Sequence, residues 1–239
     1  MTATGRKARC TISIVDLRIE QAAHEHIWKT ADPHERARTF EFASEHLGRR
    51  WLATRIAARH LVAQQTSTSA ADVSILNDEA GRPFVDGGDC HVSISKSGHR
   101  AAIAIGHTDI GVDIEEVVPL NQAPALARRF LHPADADAIE RDPNPQAAFY
   151  RAWVRLEAVL KCRGTGFDGS APPPVLEPIF DAVENLNLRG ISPTLVGAVS
   201  VKRSWLSEGC KQRPVAFSNH ILPELIGMQT IDEVLSIAG

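Results

Sequence analysis

Six residues, Ile110-Gly111-Val112-Asp113-Ile114-Glu115, constrain this chain more than any other stretch. Their residue types alternate, and on a strand successive side chains leave on opposite faces. Ile110, Val112 and Ile114 therefore share one face and pack inward. Asp113 and Glu115 share the other, with Cα atoms about 7 Å apart. Two carboxylates so placed repel each other and ask for a metal ion or a Lys/Arg partner. A solvated polar face on an edge strand is the plainer account of a bare D-x-E pair.

The rest of the chain sets the context for that strand. Its 239 residues are 44% hydrophobic and 23% charged, with net charge −3. At roughly 150 residues per domain this means one large domain or two small ones. The mixture excludes a disordered tail, a collagen-like repeat and a small disulfide scaffold. Nor does it supply a whole-protein basic field for nucleic acid. The N-terminal apolar run, Ile12 to Val15, is too short for a secretory signal and predicts a mature cytosolic N-terminus. No run approaches the roughly 20 apolar residues of a membrane span. Cys10, Cys90, Cys162 and Cys210 lack metal-ligand spacing and read as reduced structural thiols. His24 and His26, two apart, face opposite sides of a helix and read as surface residues.

Periodicity predicts a long helix over Ala43 to Gln65, with Arg49, Arg50, Arg55 and Arg59 interleaved with its apolar stripe. A short strand at Val73 to Leu76 and a turn-rich segment from Asn77 to Pro83 follow. His91 to Ser95 and Ala101 to Ile105 read as a hairpin, and Ile110 to Glu115 as a further strand. Val117 to Pro124 is the candidate boundary, giving halves 1–117 and 118–239. Helices are predicted over Pro133 to Glu140 and Gln146 to Arg163, the second stopped by Gly164 and Gly166. Ala171 to Pro178 reads as a loop, Val196 to Lys202 and Pro214 to Ser218 as strands, and Ile231 to Ile237 as a terminal helix. The fold class is α/β (α+β), as two α/β halves side by side with a ligand cleft between them.

On the second long helix Phe149, Ala152, Trp153, Leu156 and Leu160 form a core stripe, while Glu157 and Lys161 project from one flank. An ordinary surface pair explains the last two. The sharper account makes Glu157 a third carboxylate beside a cation and Lys161 a phosphate-binding group. Oxygen ligands without a Cys/His cluster favour Mg²⁺ over zinc.

These segments, in order, resemble the Sfp-type 4′-phosphopantetheinyl transferases. The family's G-[IV]-D-[IV]-E strand is matched by Gly111 to Glu115. Its W-x-x-K-E-A-x-x-K helix and following G-x-G are matched by Trp153 to Lys161 and Gly164-Thr165-Gly166. Upstream, G-[RK]-P and S-H-S-G are similar to Gly81-Arg82-Pro83 and Ser95-Lys96-Ser97-Gly98. The resemblance runs from about Glu35 to Phe167. Leu156 stands where the family often has lysine, and Lys96 where it has histidine.

The resemblance implies transfer of 4′-phosphopantetheine from coenzyme A to a serine of an apo acyl or peptidyl carrier protein, releasing adenosine 3′,5′-bisphosphate. It implies Mg²⁺ on Asp113, Glu115 and Glu157, with Glu157 accepting the serine proton and Lys161 holding a phosphate oxygen. Asp113, Glu157 and Lys161 are thus the expected catalytic group. Coenzyme A contacts are expected from Gly81, Arg82, Pro83, Ser95, Lys96 and Lys161, and a 3′-phosphate site from Arg36 and Arg38. Arg50 and Arg59 are expected only to cover the helix's polar face. Two similar halves with the site at their interface, acting as a monomeric pseudo-dimer in the cytoplasm, complete the expectation. The partners are the carrier, which calls for a local basic docking patch, and coenzyme A, with no nucleic acid or membrane. A coenzyme A-binding module without turnover and a Mg²⁺-dependent pyrophosphate hydrolase are the alternatives.

Overall fold

The computed structural model describes residues 10–18, 21–167, 182–186, 188, 191–201 and 228–229. The predicted loop at Ala171 to Pro178, the strand at Pro214 to Ser218, the helix at Ile231 to Ile237 and Cys210 lie outside them.

Strand β1 (Thr11–Asp16) leads into α1 (Gln21–Thr30), α2 (Pro33–Thr39) and the long α3 (Glu45–Thr66). Next come β2 (Ile75–Asn77), β3 (Pro83–Val85), β4 (His91–Ser97), β5 (Arg100–Gly106) and β6 (Ile110–Glu116). Helices α4 (Ala123–Phe130), α5 (Pro133–Arg141) and α6 (Pro145–Arg163) precede β7 (Ala182–Asn185), β8 (Leu195–Val201) and β9 (Met228–Gln229). Helices with antiparallel sheets make up the mixed class expected. The order strand, short helix, short helix, long helix occurs twice, as β1-α1-α2-α3 and β6-α4-α5-α6.

Local chemistry accounts for the two long helices. Ser44 caps α3 by accepting the Leu47 N–H at 3.3 Å, and Asn144 caps α6 by accepting the Ala147 N–H at 3.1 Å. Gly164 ends α6 in the left-handed region at φ 73°. Both fall within two residues of the sequence expectation.

One sheet has the order β4-β5-β1-β9, a second has β6-β8-β7, and β2 pairs with β3. Against one face of the first sheet α3 packs Leu52 and Ile56 beside Val15, Val92 and Ile103. The other face sets Ile12, Ile14, Ala102 and Ala104 against Ile110, Val112, Ile114 and Val199 of the second. Helix α6 covers the far side of the second sheet, Val154 and Ala158 meeting Ala198. Its outer stripe of Phe149, Leu156 and Leu160 packs on α4 and α5. The sheets divide between β5 and β6, so a boundary at 117 leaves β6 with a half whose sheet it does not join.

Arg59 departs from the expected polar face. It is buried, bonded to the Ala70 and Thr30 carbonyls, and paired with Glu35 at 2.7 Å with both side chains under 10% exposed. Removing one partner of such a pair strands the other charge, so Arg59→Ala is expected to cost about 3–5 kcal/mol. Urea unfolding measures it, and an unshifted midpoint would contradict the burial.

Candidate active site

Gly111 makes the site geometrically possible. A Cβ there would stand 1.9 Å from the Ala158 carbonyl oxygen and 2.4 Å from the Cys162 nitrogen. Only a glycine lets the backbone of α6 lie this close to β6. Gly111, Asp113 and Glu115 share the β6 face that α6 covers, and Glu157 and Lys161 come down beside the two acids.

The Lys161 ammonium donates to Asp113 Oδ1 at 2.6 Å. Ser95 Oγ donates to the same oxygen at 2.7 Å, and Ser97 Oγ donates to Glu115 Oε2 at 2.8 Å. Asp113 is 3% exposed, and its second oxygen, Oδ2, is buried with no hydrogen-bond partner. The carboxylate of Glu157 accepts no hydrogen bond among the described residues.

Electrostatics ties the three acids together. Burial above all, then the charges of Asp113 and Glu115, pushes the Glu157 carboxyl above its ordinary value, with Lys161 opposing. The Glu115 carboxyl is also raised, chiefly by burial and further by Asp113, while the Ser97 bond and Lys161 pull it down. Among the described residues no three His, Cys, Asp or Glu side chains stand together as a formed metal cluster. The expected trio is electrostatically coupled without being closed, and Lys161 engages Asp113. Its donor set still suits a hard divalent cation: a buried unpartnered oxygen and two carboxyls that burial first, and mutual repulsion second, push toward protonation.

Positive charge gathers around Lys96, which the charge of Lys161 also reaches. Lys96 shares the α3-facing side of β4 with Val92 and Ile94, and partial enclosure with the charges of Arg50, Arg55 and Lys161 lowers its pKa. Arg50 donates through Nη2 to the Gly98 carbonyl, and its Nε is buried without a partner. Arg55 donates to Asn77 Oδ1 at 2.6 Å and stacks over Trp51, and its Nη1 is likewise buried and unpartnered. Spare donors beside a charge-stressed lysine are the makings of an anion site. Sequence reading missed Arg55 and left Arg50 as cover for the helix.

The other expected contacts fare differently. Arg36 donates to the Trp28 and Lys29 carbonyls at 3.0 and 3.1 Å, capping the end of α1. Arg38 pairs with Glu41 and lies over Phe42. Neither is among the charges that reach Lys96, Glu115 or Glu157. Gly81, at φ 83°, turns the β2–β3 hairpin and Pro83 opens β3. Arg82 reaches Asp109 at 3.3 Å and rests against Gly164 at the end of α6. Ser95 is buried and its one proton lies on Asp113, leaving no donor for a ligand. Leu156 is 1% exposed in the α4–α5–α6 core, so that position faces away from the acids. A cavity of about 580 Å³ walled by Trp28, Phe40, Phe42 and Arg49 holds none of the acids or Lys161.

Asp113, Glu115, Glu157 and Lys161 all fall within residues 109–217, which match the sequence profile of the 4′-phosphopantetheinyl transferase superfamily. The chain is related to the 4′-phosphopantetheinyl transferases. It is 29% identical over 140 residues to the 4′-phosphopantetheinyl transferase ffp of Bacillus subtilis, covering 57% of this chain and 61% of that protein. To HetI, a 4′-phosphopantetheinyl transferase of a Nostoc species, it is 30% identical over 145 residues, 57% of this chain and 60% of the relative. To psf-1 of Bacillus pumilus, also named a 4′-phosphopantetheinyl transferase, it is 24% identical over 172 residues, 70% and 73% of the two chains. The first two matches span about three fifths of the relatives' length. Among the described residues no helix is long and apolar enough to cross a membrane.

Proposed function

We propose that this protein transfers 4′-phosphopantetheine from coenzyme A to a serine hydroxyl of an apo carrier protein and releases adenosine 3′,5′-bisphosphate. The observation carrying this is the buried Asp113, bonded to Lys161 and Ser95, beside two further carboxylates at the seam between the sheets.

The serine oxygen attacks the phosphorus that bears the pantetheine arm. A bond forms from that oxygen to phosphorus, and the bond from phosphorus to the bridging pyrophosphate oxygen breaks. Adenosine 3′,5′-bisphosphate departs with the electron pair. The serine proton passes to the Glu157 carboxylate, whose pKa, raised above the ordinary glutamate value, makes it a stronger base than a solvated glutamate. Lys161 reaches from Asp113 toward a pyrophosphate oxygen as a point charge. Arg50, Arg55 and Lys96 take phosphate charge through their spare donors, a role that Arg36 and Arg38, engaged elsewhere, do not fill. Asp113, Glu115 and Glu157 would hold Mg²⁺, which when bound supplies neutralisation of the pyrophosphate charge. Buried free thiols at Cys10 and Cys90 suit action in the cytoplasm.

The test is intact mass spectrometry of an apo carrier protein incubated with this protein, coenzyme A and Mg²⁺. One phosphopantetheine is expected on the carrier, and EDTA is expected to abolish the gain. Coenzyme A bound without carrier modification would mark a binding module. Coenzyme A cleaved without it would mark a hydrolase.

A further inference from the structure

Among the described residues strand β6 is the edge of its sheet, and serine side chains of β4 line that edge. Ser93, Ser95 and Ser97 alternate along β4 and so point to one face. Their hydroxyl oxygens accept the backbone N–H groups of Val112, Ile114 and Glu116 at 3.0, 3.3 and 2.8 Å. Side-chain oxygens of one sheet thus satisfy three N–H groups of the other that have no strand partner among the described residues.

Each serine has one proton. With an N–H directed at its oxygen, the hydroxyl turns that proton elsewhere. For Ser95 it goes to Asp113, and for Ser97 to Glu115. For Ser93 the corresponding residue on β6 is Gly111, with no carboxylate to receive it. The repeat therefore performs one task three times and a second task twice.

We infer that Ser97 is a positioning residue, holding the Glu115 carboxylate in the acidic cluster against repulsion from Asp113 so that it is oriented to bind a divalent cation. Glu115 has no other hydrogen-bonded partner for its side chain among the described residues, and it is only half-buried, with solvent open to it. Without the Ser97 proton its long side chain swings away from Asp113, and one oxygen donor leaves the site. Outer hydrogen bonds that orient a ligating carboxylate typically govern about 10–100-fold in metal affinity. This inference rests on Asp113, Glu115 and Glu157 being the cation ligands.

The experiment is Mn²⁺ binding by electron paramagnetic resonance, with full-length protein and neither coenzyme A nor carrier present. Ser97→Ala is expected to weaken Mn²⁺ binding by about tenfold or more. Ser93→Ala removes the same kind of backbone contact and no carboxylate bond, so it is expected to match wild type in Mn²⁺ affinity while losing thermal stability as Ser97→Ala does. Ser97→Thr, which keeps the hydroxyl on a residue suited to strands, is expected to restore affinity. Equal weakening by Ser93→Ala and Ser97→Ala, or failure of threonine to rescue, would overturn the positioning role. Unaltered affinity in Ser97→Ala would overturn it while the metal reading stands. Wild-type protein that binds no Mn²⁺ would overturn the metal reading itself, and this inference with it.

Discussion

Glu157→Gln is expected to lower phosphopantetheine transfer by about 10²–10⁴-fold with the KM for coenzyme A nearly unchanged. The amide fills the same space and cannot take the serine proton. A variant whose defect lies wholly in coenzyme A affinity would assign Glu157 to binding instead.

The same substitution carries a stability signature of opposite sign. Burial and the neighbouring charges raise the Glu157 carboxyl in the folded protein above its ordinary 4.5. A raised group contributes stability that is fully present below its unfolded value and is lost as pH rises through the folded one. Without divalent cations, wild type is therefore expected to lose stability as pH climbs above the usual glutamate range. Glu157→Gln removes one source of that loss and is expected to melt higher than wild type at neutral pH. Glu115, also raised, keeps part of the slope in the variant. Thermal melts in EDTA across the acid-to-neutral range measure this directly. A lower melting temperature for the variant at neutral pH would mean that the ionised carboxylate is well compensated in the fold.

Gly111→Ala is expected to be among the most damaging single-methyl changes available in this chain. The added carbon would stand 1.9 Å from one α6 backbone atom and 2.4 Å from another, with no flexible side chain to yield. Overpacking of this kind typically costs 1–3 kcal/mol and occasionally more, and backbone-on-backbone contact puts this case at about 3 kcal/mol or above. Relief requires α6 to lift from β6, which carries Glu157 and Lys161 away from Asp113. Stability and transfer are expected to fall together, read as a lower urea midpoint and lost carrier modification. A wild-type midpoint would show that α6 has room to accept a methyl group at Gly111.

Not every element left a period to read. The apolar run at Ile12 to Val15 passed without assignment, yet β1 lies within the first sheet with five of its six residues buried. Strands buried on both faces lose their alternation. Here α3 takes one face of the sheet and the second sheet takes the other. Helices α1, α2 and α4, of 10, 7 and 8 residues, span only about two or three turns, so the period repeats too few times to be counted. Strand β3, three residues long, was hidden in turn-rich sequence, although Gly81 at its hairpin was singled out.

By itself the sequence determined which way side chains leave each element. Alternation put Asp113 and Glu115 on one face of β6, and the spacing of four put Glu157 and Lys161 on one flank of α6. The G-V-D-I-E and W-x-x-x-E-x-x-x-K motifs carried the family resemblance for the same reason: each is local, and its geometry follows from a strand or helix period. Only the tertiary structure decided what those faces meet. Ser95 and Asp113 are 18 residues apart, and Lys161 and Asp113 are 48 apart. Their contacts depend on sheet register and on how closely α6 can approach Gly111. The same holds for the arginines, which look alike in sequence. Arg36 and Arg59 are held by backbone carbonyls and Glu35, while Arg50 and Arg55 keep buried donors beside Lys96. A local period fixes a side chain's direction, and packing between distant elements fixes its partner.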